Sequence, residues 1–182
     1  MTSIVGEWSE AGPPAIMGMQ VSLRALDLVV HWKRCGLTAD WFAAFFVYDF
    51  PVEDRPAATS VLSTAINELI ENAVKFCSDK TQPVSIAIRH HGDFVRLETI
   101  NRVDAVRADK LRLAIDEIIT SDLGVLFARR IEHQAEAGAS GLGLLILKKD
   151  YNAKIGLKLV PVGGELDVHV QVTLQVEEVS GR

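Results

Sequence analysis

The segment ELIENAVKF, Glu68 to Phe76, places a carboxylate, a carboxamide and an ammonium at helical spacing. Advancing about 100° per residue from Glu68 brings Asn72 and Lys75 within roughly 60° of one another. Leu62, Ile66, Leu69 and Ala73 cluster almost opposite, so the three polar groups are expected to share one face that points away from the core centre. Together they offer a proton acceptor, a hydrogen-bonding amide and a positive charge on one surface. Taken alone, the set reads as a solvated helix face whose charge pattern is worth only tenths of a kcal/mol.

A second candidate is Gly138, Ser140, Gly141 and Gly143, directly before the apolar run Leu144 to Leu147. Backbone N–H groups at a helix start, with no Cβ in the way, make a place that phosphate oxygens can approach. An ordinary glycine-rich turn has the same composition. There is no Gly-Lys-Ser/Thr of a Walker loop, and Gly141-Leu142-Gly143 lacks the third glycine of a dinucleotide fingerprint.

The elements that must carry these residues follow from periodicity. Ala57 to Phe76 reads as the clearest helix, its apolar residues recurring every three or four positions. Pro83 to Arg89 and Phe94 to Ile100 read as a hairpin around His91-Gly92-Asp93, and a last hairpin turns at Gly163-Gly164, after which Leu166, Val168, Val170, Val172, Leu174 and Val176 alternate with polar neighbours. Helices are predicted near Ala108 to Thr120 and Ser121 to Glu136, and the glycine loop opens another. Gln20 to Gly36 reads as a helix stopped by Gly36, followed by a short aromatic helix capped by Thr38, with Asp40 in its first turn. Its rings, Trp41, Phe42, Phe45 and Phe46, are expected to fill the core rather than to form a partner-binding patch. A short N-terminal arm ends near Ala11 to Pro14. Helices and antiparallel hairpins in this order predict an α+β two-layer sandwich, a mixed or antiparallel sheet covered on one face by helices.

Composition narrows the function. The 182 residues suit one domain, nearly half of them hydrophobic. Nineteen basic against twenty-four acidic side chains leave a net charge of -5, which argues against a nucleic-acid partner. No apolar run approaches the roughly 18–20 residues that span a bilayer, and the first residues lack the basic start of a signal peptide. The expectation is a cytoplasmic protein without a membrane partner. Cys35 and Cys77 form no metal-ligand spacing with any histidine and are expected to be reduced core residues.

In combination, ELIENAVKF, two strands, a variable helical stretch and GASGLGL at Gly138 to Leu144 resemble the GHKL (histidine kinase-like) ATPase superfamily over about residues 57–176. The resemblance implies that ATP and Mg²⁺ are cofactors. Asn72 matches the asparagine that holds Mg²⁺ against the phosphates, Glu68 the general base, and Lys75 a basic position that commonly follows. Gly138, Ser140, Gly141, Leu142 and Gly143 match the glycine box that binds phosphates and hinges a lid. The family's next motif, D-x-G-x-G, is missing: Asn101 stands where its adenine-reading Asp would be, with Asp104 as a displaced substitute.

WKRCGLTADWFAAFF before NELIENAVKF is similar to small single-domain bacterial GHKL regulators of partner-switching systems, which places residues 1–56 as an extension within the same domain. The resemblance implies a serine/threonine kinase or anti-sigma-like switch acting on a STAS-domain anti-anti-sigma-like partner, and leaves a homodimer open. The alternative is a protein-binding module of the same fold that has lost nucleotide chemistry.

Overall fold

The computed structural model describes residues 1–137 and 142–180. Six strands form one fully antiparallel sheet: β1 (Ser3–Gly6), β2 (Met17–Arg24), β3 (Pro83–His90), β4 (Phe94–Val103), β5 (Lys154–Val162) and β6 (Glu165–Gln175), in the order β1-β5-β6-β4-β3-β2. The expected α+β two-layer arrangement is what the chain adopts. Both hairpins form as their turns predict, with Gly92, Gly163 and Gly164 at positive φ where the chain reverses.

Helices cover one face of the sheet. α1 (Ala25–Val30), α2 (Lys33–Phe46), α3 (Arg55–Phe76), α4 (Ala105–Thr120), α5 (Leu123–Ala137), α6 (Leu142–Tyr151) and α7 (Val176–Ser180) follow in chain order, with a 3-10 turn at Val47–Asp49. α3 is central and packs on α2, β3, β4, α6 and α7. Pro56 sits in its first turn, where a missing N–H costs nothing, and Lys80 ends it, its ammonium bonding the carbonyls of Val74 at 2.5 Å and Cys77 at 2.8 Å. Leu62, Ile66, Leu69 and Ile70 of α3 are almost completely buried, each contributing about 1.5–3 kcal/mol by leaving water.

The N-terminal segment departs from the expected pattern. Gln20 to Arg24 belongs to strand β2 and not to a helix. Met17, Met19, Val21 and Leu23 pack inward while Gly18, Gln20, Ser22 and Arg24 are exposed, a period of two that a helical reading beginning at Gln20 cuts across. α2 starts at Lys33, so Gly36 lies inside it and Thr38 is a mid-helix residue rather than a cap. The aromatic run divides: Phe42 and Phe46 are fully buried, whereas Trp41 and Phe45 are exposed.

β1 and β2 lie at opposite edges of the sheet, so the intervening chain crosses the whole outer face as a strap. Ser9 N–H donates to Gln171 Oε1 at 3.0 Å, Arg96 donates to the Ala11 carbonyl at 2.8 Å, and His91 Nδ1 bonds the Pro13 carbonyl at 2.7 Å. Glu7 and Glu10 pair with Lys148 and Lys158. Gly156 allows the strap this approach, because a Cβ there would sit 2.5 Å from the Trp8 backbone.

Candidate functional site

Glu68 sits two-thirds of the way along α3 and is half-buried. Its carboxylate lies directly against the backbone of Gly143 in the first turn of α6, so closely that a Cβ at Gly143 would overlap the Glu68 side chain. Any larger residue at 143 would require the Glu68 side chain to move aside. Burial first, and the neighbouring Glu71 charge second, push the Glu68 carboxyl above its ordinary range, against a smaller opposing pull from Lys75. A carboxylate held in this way is a better proton acceptor than a solvated one.

One turn on, Asn72 is only 6% exposed and its Nδ2 has no hydrogen-bond partner. α3 packs over β4, whose odd-numbered residues face the helices: Val95, Leu97 and Val103 belong to the core. Two polar residues interrupt that row, Thr99 at 0% and Asn101 at 2% exposure, and Thr99 Oγ1 and Asn101 Nδ2 also lack partners. Buried polar groups are normally satisfied, because leaving one unpaired costs about 1–3 kcal/mol. Three such atoms lie on a helix and the strand beneath it, without a partner among the described residues.

The expected site residues therefore do not share one solvated face. Glu68 is half-buried, Asn72 is inside, and only Lys75 is exposed. Asp104 is engaged elsewhere: it caps α4, accepting the Arg107 N–H at 2.8 Å and pairing with the Arg107 guanidinium. The backbone bond and the Arg107 charge together outweigh burial and hold its carboxyl below the usual range. Leu142 and Gly143 open α6, with Leu142 packed against the core. Gly138, Ser140 and Gly141 lie outside the described residues.

Two features escaped the sequence reading. Thr99 was legible, since Val95, Leu97, Thr99, Asn101 and Val103 form an alternating row with two polar members. The other is a groove of about 600 Å³ between α2 and α3, lined by Asp40, Ser63, Asn67 and Glu71 and ending at Glu68. Ser63 Oγ donates to Asp40 Oδ1 at 2.6 Å and Asn67 Nδ2 to Glu71 Oε1 at 2.9 Å. It depends on how two helices pack, which no local pattern reveals. Cys35 and Cys77 are free and buried, and burial, then the Glu71 charge, push the Cys35 thiol up to about 11, so it is inert.

Among the described residues no three His, Cys, Asp or Glu are grouped to hold a metal, and no helix is long and apolar enough to cross a membrane. No family model matches the chain, and no curated protein matches it. Its fold is similar to that of a chain in the crystal structure of the SiaB–SiaC complex from Pseudomonas aeruginosa, at 15% identity and a TM-score of 0.62, covering 88% of this chain and 91% of that one.

Proposed function

We propose that the protein is an ATP- and Mg²⁺-binding regulator of a partner-switching system that phosphorylates a serine or threonine on a STAS-domain partner. One observation carries the reading: the unpartnered buried atoms of Asn72, Thr99 and Asn101 lie on α3 and β4, the helix that also holds Glu68 against Gly143 and the strand beneath it. The fold shared with a chain of a two-protein complex supports a protein partner.

These residues fit a nucleotide and its cation. Asn72 would hold Mg²⁺ through its amide oxygen, with its unpartnered nitrogen free to donate to a phosphate oxygen. Thr99 and Asn101 would satisfy polar atoms of the base or sugar. When bound, the metal supplies charge neutralisation at the phosphates. Glu68 removes the acceptor hydroxyl's proton, a task helped by its raised pKa. Gly143 lets backbone approach without a Cβ.

Titration calorimetry with ATP and ADP, with and without Mg²⁺, tests binding, and phosphate transfer to a co-encoded STAS-domain protein tests the activity. The expected result is Mg-dependent binding, with Glu68→Gln binding nucleotide but transferring phosphate roughly 10²- to 10⁴-fold more slowly. No binding at millimolar nucleotide would overturn the reading. A second reading, a protein-binding module without nucleotide chemistry, is favoured by the engagement of Asp104 as a helix cap and by the uncharged Asn101.

A further inference from the structure

α2 and the 3-10 turn that follows it present Leu37, Trp41, Phe45 and Tyr48 at spacings of four, four and three, all of them exposed, Trp41 by 52%. Between this stripe and edge strand β2 runs a groove with mainly apolar walls, carrying Asp27 and Arg34 in one part and Asp49 in the other. One part, of about 460 Å³, is walled by Val21, Leu23, Leu28, Leu37 and Trp41. The other, of about 440 Å³, meets it at Trp41 and continues past Phe45 and Tyr48 to Met17. The groove therefore follows β2 along its length.

The backbone of β2 is open along the same line. In the β3–β4 hairpin His91 N–H bonds the Phe94 carbonyl at 2.9 Å, so the odd-numbered residues of β3 bond β4 and the even-numbered ones bond β2. The register Met17↔His90 through Leu23↔Val84 then turns Met17, Met19, Val21 and Leu23 toward β3. Gly18, Gln20 and Ser22 direct their N–H and C=O groups away from the sheet. Edge strands are normally guarded by a lysine, a proline or a bulge. β2 has none of these, and its one charge, Arg24, is paired with Asp27 at 3.0 Å.

We propose that this edge is a dimer interface, at which β2 of a second copy adds antiparallel across a two-fold axis at Gln20. Only a register keeping like faces together is allowed, because a one-residue slip turns every side chain over. Centring on Gln20 sets Gly18 opposite Ser22 and Gln20 opposite Gln20, pairing the outward backbone groups. It also sets Met17 opposite Leu23 and Met19 opposite Val21, so all four apolar side chains find apolar neighbours. The next register, centred on Val21, leaves Met17 opposite Ala25, beyond the strand. The added strand is uncharged over residues 17–23 and lays its apolar side under the overhanging Trp41 and Phe45. The result is a continuous twelve-stranded sheet, six strands from each copy.

Sedimentation velocity on the full chain tests this with three variants. Gln20→Pro removes one outward N–H and leaves the β2–β3 ladder intact. Trp41→Glu charges the overhang. Gln20→Cys places an exposed thiol on the axis, opposite its own copy at about 5.5 Å between Cα atoms, within disulfide reach. The expected result is a parent dimer, at least tenfold weaker association for Gln20→Pro and Trp41→Glu with unchanged circular dichroism, and an oxidised Gln20→Cys dimer linked through residue 20. A parent that stays monomeric at 100 µM, or a dimer unaffected by both Gln20→Pro and Trp41→Glu, overturns the proposal. So does an edge that pairs only with a different protein. None of these outcomes depends on nucleotide, so the kinase reading stands or falls separately.

Discussion

Glu68 is held at a cost. Its carboxyl is raised because burial disfavours the charged form, so at neutral pH the ionised group destabilises the folded state. The folded state holds this proton more tightly than the unfolded one, so the group's contribution is fully present below the ordinary glutamate pKa and is lost as pH rises through the folded value. Glu68→Gln should therefore raise the melting temperature at pH 7 while removing transfer activity, and the gain should vanish below about pH 4. Thermal melts across that range check both halves. Asn72→Leu carries a parallel expectation: it removes an unpartnered buried amide, so stability rises by about 1 kcal/mol or holds, while Mg-nucleotide affinity falls at least tenfold in calorimetry. Substitutions that stabilise while they inactivate would mark both as functional residues. The identity of these residues was legible from ELIENAVKF, but their burial was not. The 100° rotation places Asn72 about 80° from Leu62 and about 120° from Ile66, at the margin of the apolar stripe, and because α3 is enclosed on several sides a polar residue at that margin is buried as well.

At the scale of elements, the close seat of α6 on Glu68 rests on one missing methyl group. Gly143→Ala would drive a Cβ into the Glu68 side chain, and overpacking of this kind typically costs about 1–3 kcal/mol. The clash needs Glu68, so Glu68→Ala should recover most of the loss, and a double-mutant cycle by urea denaturation should show coupling above about 1 kcal/mol. If the two substitutions add independently, the contact between α3 and α6 is not what fixes the glycine. Long, strongly periodic elements such as α3 and β6 could be read from the sequence. β2 carries the strand signal too, in the alternation of Met17, Met19, Val21 and Leu23 with Gly18, Gln20 and Ser22, but a window opened at Gln20 halves that pattern, and the same stretch continues into α1, where Leu28 restores a helical spacing. The division of the aromatic helix into a buried and an exposed side depends on β2 being the edge, and so was lost with it.

For the molecule as a whole, the strap joins the two edges and covers polar groups on the outer face. Glu98, pushed up by burial, is brought below its usual range by the His169 hydrogen bond at 3.0 Å and by the Arg89 charge, and Trp8 stands edge-on to the same His169. Gly156→Ala should lift the strap, since its Cβ would meet the Trp8 backbone. Hydrogen exchange is expected to quicken at Glu7, whose N–H bonds Ile155, and at Ser9, whose N–H bonds Gln171, while α3 stays protected. Unchanged exchange at both amides would show that the strap is held elsewhere.

The pairing of β1 with β5 also orders events during synthesis. Ser3 pairs with Leu159 and Gly6 with Gly156, so β1 is made about 150 residues ahead of the strand it pairs with. At roughly 5–20 residues per second, β1 waits on the order of 10–30 s for its strand to emerge from the ribosome. Until then β5 and β6 do not exist, and β4 has an open side where β6 will lie. The nascent chain can close its β2–β3–β4 half first, and the sheet is complete only once β5 emerges to meet the waiting β1.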